Sequence, residues 1–223
     1  MEKDLMAEDR PRRVRGAVRA AMVREAVELA RHGGPDAVVL REVARRVGVA
    51  PNAAYRHFAD RDELLLAVCH AAMEQLAEVM REEVDEVASG PSAPEAAKNR
   101  LAAVSRAYLR FARERNGLFR AAFAVPNHLD YATAGRNGPN SQGPFEILGS
   151  VIEELVRLGI VAAANFDGAL VAAWSGVHGL AELQSRGPLR TLSRAETAAA
   201  ERAVIAMIVS GVASASSGRD EWL

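Results

Sequence analysis

Within ten residues the chain gathers five side chains able to grip a polyanion: Asn52, Tyr55, Arg56, His57 and Arg61, with Arg41 a short way upstream. An asparagine amide matches the donor and acceptor edges of a base, whereas tyrosine, histidine and arginine donate to phosphate oxygens. Ala53 among them is small enough to permit close approach. Taken singly, a Tyr or His on a short helix is more often a packing residue. Here the set lies in the most basic part of the chain. Residues 10–61 hold twelve arginines against five acids, a net +7 that leaves −8 for the rest of a chain whose total is −1. A basic end joined to an acidic body suggests a polyanion touched at one end only.

Positioning such a set takes two short helices crossing steeply, and the stretch from Leu40 to Phe58 has the parts. Ala44 is small where the helices cross, and Gly48 supplies the positive φ that the intervening turn requires. Val43, Val47, Val49, Ala54 and Phe58 make an apolar seam, leaving Asn52, Ala53, Tyr55, Arg56 and His57 to face a DNA groove. Val39 and Ala50 stand where a capping Ser or Thr is usual, each absence costing about 0.5–2 kcal/mol. Pro51 at the first helical position offsets the second loss.

On these residues the segment from about Val14 to Leu66 resembles the DNA-binding domain of the tetracycline-repressor (TetR) family. Tyr55-Arg56-His57-Phe58, followed by Asp60-Arg61-Asp62-Glu63-Leu64-Leu65, carries the likeness. The resemblance implies phosphate contacts from Tyr55, His57 and Arg61, bases against Asn52 and Ala53, and a backbone contact from Arg41. An arm of Arg12, Arg13 and Arg15 would reach the neighbouring groove. Trp174-Ser175-Gly176-Val177-His178-Gly179-Leu180 is similar to the tryptophan-histidine-glycine motif of one subgroup's C-terminal domain.

Apolar periodicity predicts an all-α chain of about nine helices. The first runs from about Arg15 to Arg31 and is ended by Gly33-Gly34-Pro35. A long one spans about Asp60 to Val87, with Asp60 and Glu63 at capping-box spacing. Residues 89–94 read as a linker, and residues 126–144 as a turn-rich loop. Helix 8 follows the stripe Phe166, Leu170, Trp174, Val177 and Ala181 behind an Asp167 cap. The last helix opens on Ser193 with Glu196. The division expected is a DNA-binding domain over 12–66 and a ligand-binding and dimerisation domain over 67–215.

In that second part Tyr108, Phe111, Phe119, Phe123, Phe145, Leu148, Trp174 and His178 read either as plain core or as the wall of a ligand pocket. Ala199, Ala203 and the Ile-Val ridge of the last helix suit a homodimer seam formed by the last two helices. The partners expected are therefore a near-palindromic double-stranded operator, a small-molecule effector and a second copy of the chain. Repression released by a small apolar or amphipathic ligand is the expected mode. A ligand-dependent activator, or a helical ligand-binding protein that never touches DNA, are the alternatives.

Enzymatic motifs are missing: there is no HExxH, no phosphate-binding loop and no nucleophile elbow, and His128 and Asp130 lack a third partner. No enzyme, no cofactor and no metal site are expected. The single Cys69 reads as a buried thiol. The charged start carries no secretory pattern, and Val204 to Val212 with its alanine-rich flanks looks too short and amphipathic to span a bilayer. A cytoplasmic protein without a membrane partner is expected.

Overall fold

The computed structural model describes residues 5–87, 90, 92–124 and 142–214, with side chains from Gly16 onward. Among the described residues nine helices follow in order: α1 Leu5–Gly33, α2 Leu40–Val47, α3 Pro51–Ala54, α4 Arg61–Asp85, α5 Ala93–Glu114, α6 Asn116–Ala122, α7 Pro144–Arg157, α8 Phe166–Ser185 and α9 Arg194–Ser214. Three short 3-10 turns precede α2, α8 and α9, and no strand occurs among the described residues. The all-α expectation holds. Two compact units share these helices, and the chain passes between them within α4, after Ala72.

The first unit holds α1, α2, α3, the start of α4 and also α6. Helix α1 begins ten residues ahead of the expected Arg15, and it ends as foreseen where Gly34 takes a φ of 72°. Its inner stripe is Met22, Ala26, Val27 and Ala30, with Val18 and Val23 only half-buried. Phe58 is fully buried, which is worth roughly 1.5–3 kcal/mol. The Arg19 guanidinium lies 4.4 Å from the centre of the Phe58 ring and bonds Glu63 at 3.3 Å. Asp60 caps α4 by accepting the Glu63 N–H at 2.8 Å. The Glu63 carboxylate reaches back to the Ala59 N–H at 2.7 Å, one residue beyond the usual capping box.

Helix α6 carries four apolar side chains inward. It packs on α1, with Leu118, Phe119, Ala121 and Ala122 all fully buried. Gly117 makes this possible, because a Cβ there would lie 2.2 Å from the Ala30 carbonyl oxygen. The Cys69 thiol, buried as expected, donates to the Ala121 carbonyl at 2.8 Å.

The second unit is organised on α5, which packs against α7, α8 and α9. Its stripe of Leu101, Val104, Tyr108 and Phe111 is buried. Ion pairs hold its outer flanks: Arg100 to Glu154 at 2.7 Å, Arg113 to Glu201 at 2.6 Å, and Arg110 to Glu83. Gly176 sits where a Cβ would press within 3.0 Å of Ile208, so α8 and α9 approach closely there.

Several expectations need correcting. Asp167 lies inside the first turn of α8, whose N-cap position is Asn165, so its charge meets the helix dipole without capping. Phe166 and Trp174 are half-buried, since the stripe they head is flanked by an exposed face at Val171 and Ala172. Helix α9 is, by length and composition, apolar enough to cross a membrane, contrary to the reading of Val204 to Val212. It is long because alanines extend the apolar run at both ends; Ile205, Ile208 and Val212 are buried within the protein. Ser193 does cap α9 through the foreseen box with Glu196.

Gly48 and Gly16 separate conformational need from packing need, because neither has an atom within 4 Å of a Cβ position. Gly48 has a φ of 73°, so Gly48→Ala should cost about 1–2 kcal/mol. Gly16 lies on exposed α1, where Ala should gain roughly 0.5–1 kcal/mol. Urea denaturation of both variants should show opposite signs; a common sign would contradict the turn assignment.

Candidate functional site

Neither α2 nor α3 is capped by a side chain. Val39 and Ala50 occupy the N-cap positions, as read from the sequence, and Pro51 supplies the first residue of α3. Between them the Gly48 and Val49 N–H groups return to the Arg45 and Ala44 carbonyls at 3.2 and 2.9 Å, closing α2 with a left-handed residue. The regular part of α3 is only Pro51–Ala54. Bonds from Arg56 to Ala53 and from His57 and Phe58 to Ala54 then carry a helical turn to Phe58. Val43, Ala44, Ala54 and Phe58 are buried in the seam; Val47 and Val49, expected there too, are half-buried at the edge of the turn.

What remains outside this seam is the set of side chains that could read DNA. Arg41, Asn52, Tyr55 and Arg56 are exposed, Tyr55 to 48%, while Ala53 and His57 are half-buried. The described residues provide no ionic or hydrogen-bonding partner for the Arg41 or Arg56 guanidinium. The side chains of Arg12, Arg13 and Arg15 lie outside the described residues, as do His128, Asp130 and most of the 126–144 stretch.

The neighbouring arginines are occupied. Arg45 makes two bonds of 2.8 Å to Glu42, and Arg46 adds a third at 2.9 Å. Those bonds, Arg45's first, hold the Glu42 carboxyl down from 4.5 to about 2. Its folded value is depressed, so the clamp's contribution to stability is complete above about pH 4.5 and fades as pH falls toward 2. An acid followed at three and four residues by arginines signals such pairing in a helix. Arg61, expected on a phosphate, is 42% exposed and also braces the turn before α2: Nε donates to the Val38 carbonyl at 2.9 Å and Nη2 to the Pro35 carbonyl at 2.7 Å. The Val38 carbonyl and the Pro35 carbonyl, which also accepts the Val38 N–H at 3.2 Å, hold its fork in the turn before α2.

The aromatic set divides. Phe119 and Phe123 touch each other, centroids 5.3 Å apart, and belong to the first unit because α6 does. In the second unit Phe145, Trp174 and His178 form a contiguous line, with centroid separations of 5.4 and 5.9 Å. The Tyr108 hydroxyl meets His178 Nδ1 at 2.8 Å. Burial lowers the His178 pKa below its ordinary value, Glu182 opposing and Arg186 adding to the effect, so the neutral imidazole dominates at neutral pH. Phe111 and Leu148 are buried in the same unit, Phe111 beneath the Arg115 guanidinium. Among the described residues no cluster of His, Cys, Asp or Glu is arranged to hold a metal ion.

With this geometry in place, residues 23–68 match the family model described as bacterial regulatory proteins, tetR family. Residues 101–207 match a tetracyclin repressor-like C-terminal domain, and the two together take in more than half of the chain. An uncharacterized HTH-type transcriptional regulator of Haemophilus influenzae is 45% identical over 53 residues, and the match spans 24% of this chain and 26% of that relative. Among solved structures, a Rhodococcus protein of unknown function has a TM-score of 0.68 at 23% identity, covering 88% of this chain and 95% of that one. A tetR family regulator from Shewanella reaches 0.55 at 17%, covering 87% and 97%. Bacillus subtilis FadR, solved with stearoyl-CoA, reaches 0.59 at 19%, covering 86% and 98%. At these identities the structures speak for the fold alone. The two family models, read with the exposed helix-turn-helix, settle the class: the chain belongs to the tetR family of bacterial DNA-binding transcriptional regulators.

Proposed function

We propose that the chain is a homodimeric, sequence-specific repressor that a small apolar or amphipathic molecule releases from its operator. The observation that carries the DNA end is the exposed set Arg41, Asn52, Tyr55 and Arg56, standing on a seam of buried Val43, Ala44, Ala54 and Phe58. Asn52 and Ala53 read base edges; Tyr55, Arg56, His57 and Arg41 hold phosphates and set the register. The Arg12, Arg13 and Arg15 arm adds neighbouring contacts. Arg61 serves chiefly by bracing the turn before α2.

The dimer forms through α8 and α9. Support comes from α9 itself, whose inner ridge is buried while Ala199, Ala203 and Met207, the last 74% exposed, leave apolar surface outside. Two reading heads about 34–36 Å apart fit a near-palindromic operator. The effector sits by Phe145, Trp174, Tyr108 and His178, where aromatic walls surround one polar pair. Its binding favours dimers whose heads no longer match the half-sites, and the shift is limited by its differential affinity for the two shapes. Such a protein works in the cytoplasm.

Selection from a randomised duplex pool tests the reading. A recovered inverted repeat supports it, and recovery of no preferred sequence overturns it in favour of a helical ligand-binding protein. On the selected duplex, Tyr55→Phe and His57→Ala should weaken binding to every sequence alike, whereas Asn52→Ala should relax preference at one base pair by about 1–3 kcal/mol. Glu42→Gln should release Arg45, while Arg46 keeps Glu25 at 3.9 Å; it should tighten binding to unrelated DNA and steepen log K against log salt by about 0.9 for each new phosphate contact. Unchanged salt slopes would mean that Arg45 never reaches the backbone.

A further inference from the structure

The turn Gly34–Val38 delivers the chain from α1 into α2, and two guanidiniums hold it from different helices. Arg61 takes the Pro35 and Val38 carbonyls from α4. From α6, Arg120 Nη2 donates to Asp36 Oδ2 at 3.4 Å. Its guanidinium occupies the slot left open by Gly34, where a Cβ would lie 3.0 Å from both Cζ and Nη1. Gly34 also has a φ of +72°, so the slot and the backbone conformation require the same residue.

Arg120 Nε is buried and has no hydrogen-bond partner among the described residues. An unmet donor is costly, so the guanidinium is not placed by satisfying its own bonds. Helix α6 places it: Gly117 seats on the Ala30 carbonyl, and Cys69 bonds the Ala121 carbonyl. Asp36 is 84% exposed, so the ion pair itself contributes little and the packed fork contributes the rest.

We propose that Arg120 is a positioning residue for DNA recognition, fixing the Gly34–Val38 turn and, through it, the setting of α2 and α3. The proposal rests on the DNA-binding role argued above. It assigns work in operator reading to a residue 59 positions beyond Arg61 and outside the helix-turn-helix.

Arg120→Met keeps the stem and removes the fork, and Asp36→Asn removes only the charge. Native-state hydrogen exchange on the full chain reads the turn directly. The Ala37 and Val38 N–H groups, bonded to Gly34 and Pro35, should exchange about tenfold faster in Arg120→Met, with Val68 and Cys69 unchanged. Asp36→Asn should change the same amides by less than about threefold. On the duplex selected by the wild type, the ratio of specific to unrelated-DNA affinity should fall about tenfold in Arg120→Met while unrelated DNA binds as before. Unchanged exchange at Ala37 and Val38, equal acceleration throughout α4, or an intact specificity ratio would each overturn the proposal. Failure of the wild type to select any duplex would remove the DNA role itself, and the exchange result would still decide whether Arg120 holds the turn.

Discussion

Two helices of eight and four residues are too short to stand in water alone, since isolated helices need about 12–15 residues even with favourable sequences. With no side-chain cap on either, α2 and α3 exist only because Val43, Ala44, Ala54 and Phe58 are buried beneath them. Everything else in the first unit follows from that dependence. Helix α1 supplies the wall, with Arg19 laid over the Phe58 ring; α4 supplies the far side and a brace in Arg61; α6 closes the end of α1. A reading head built this way gets its order from its neighbours. Its conformation is consequently as sensitive to Arg61 or Phe58 as to the residues that face DNA.

The same unit shows how little of a formal charge reaches a partner. Its arginine excess is large, yet Arg45 and Arg46 are drawn to Glu42, Arg19 to Glu63 and Arg31 to Glu28. Arg61 is committed to carbonyl groups and Arg120 lies against Gly34 and Asp36. Most of these guanidiniums organise the fold, and the exposed pairs among them contribute little to stability individually. For Arg19, Arg61 and Arg120 the value is geometric: a planar fork joins one element to another. Arg41 and Arg56 differ because no acid among the described residues is paired with them. A sparse free charge set by a buried scaffold favours register over sheer affinity.

The helix-turn-helix could be read from sequence because its constraints are local: a small residue at the crossing, glycine at a positive φ, an apolar seam at fixed spacing. The absent caps were equally visible, being single residues at known positions. Helix α6 was not legible, because its place is set by what Gly117 lacks against a carbonyl more than eighty residues earlier. Phe119 and Phe123 therefore looked like companions of Phe145 and Trp174, sharing their composition but not their unit. The brace that Arg61 makes was not legible for a related reason. Its partners are backbone atoms of the 35–38 turn, which carry no side-chain signature. Asp167 missed the cap because the preceding 3-10 turn, Ala163–Asn165, runs straight into α8 and places its N-cap two residues earlier, at Asn165.

Helix α9 poses the opposite problem, since its composition says more than its surroundings use. It is apolar around most of its circumference, and a helix of that kind belongs either in a bilayer or between protein surfaces. Its capping box, the Arg113–Glu201 pair and the burial of Ile205, Ile208 and Val212 tie one side to the protein. A bilayer span would have to expose that charged pair and break those contacts, at a cost of several kcal/mol for the buried side chains alone. The remaining apolar side is small-residue-rich around Ala199 and Ala203, which suits close approach of another helix. Covering it with the same face of a second copy removes apolar surface twice for one symmetric contact. That economy favours the dimer over the membrane as the explanation for a helix that is apolar on both sides.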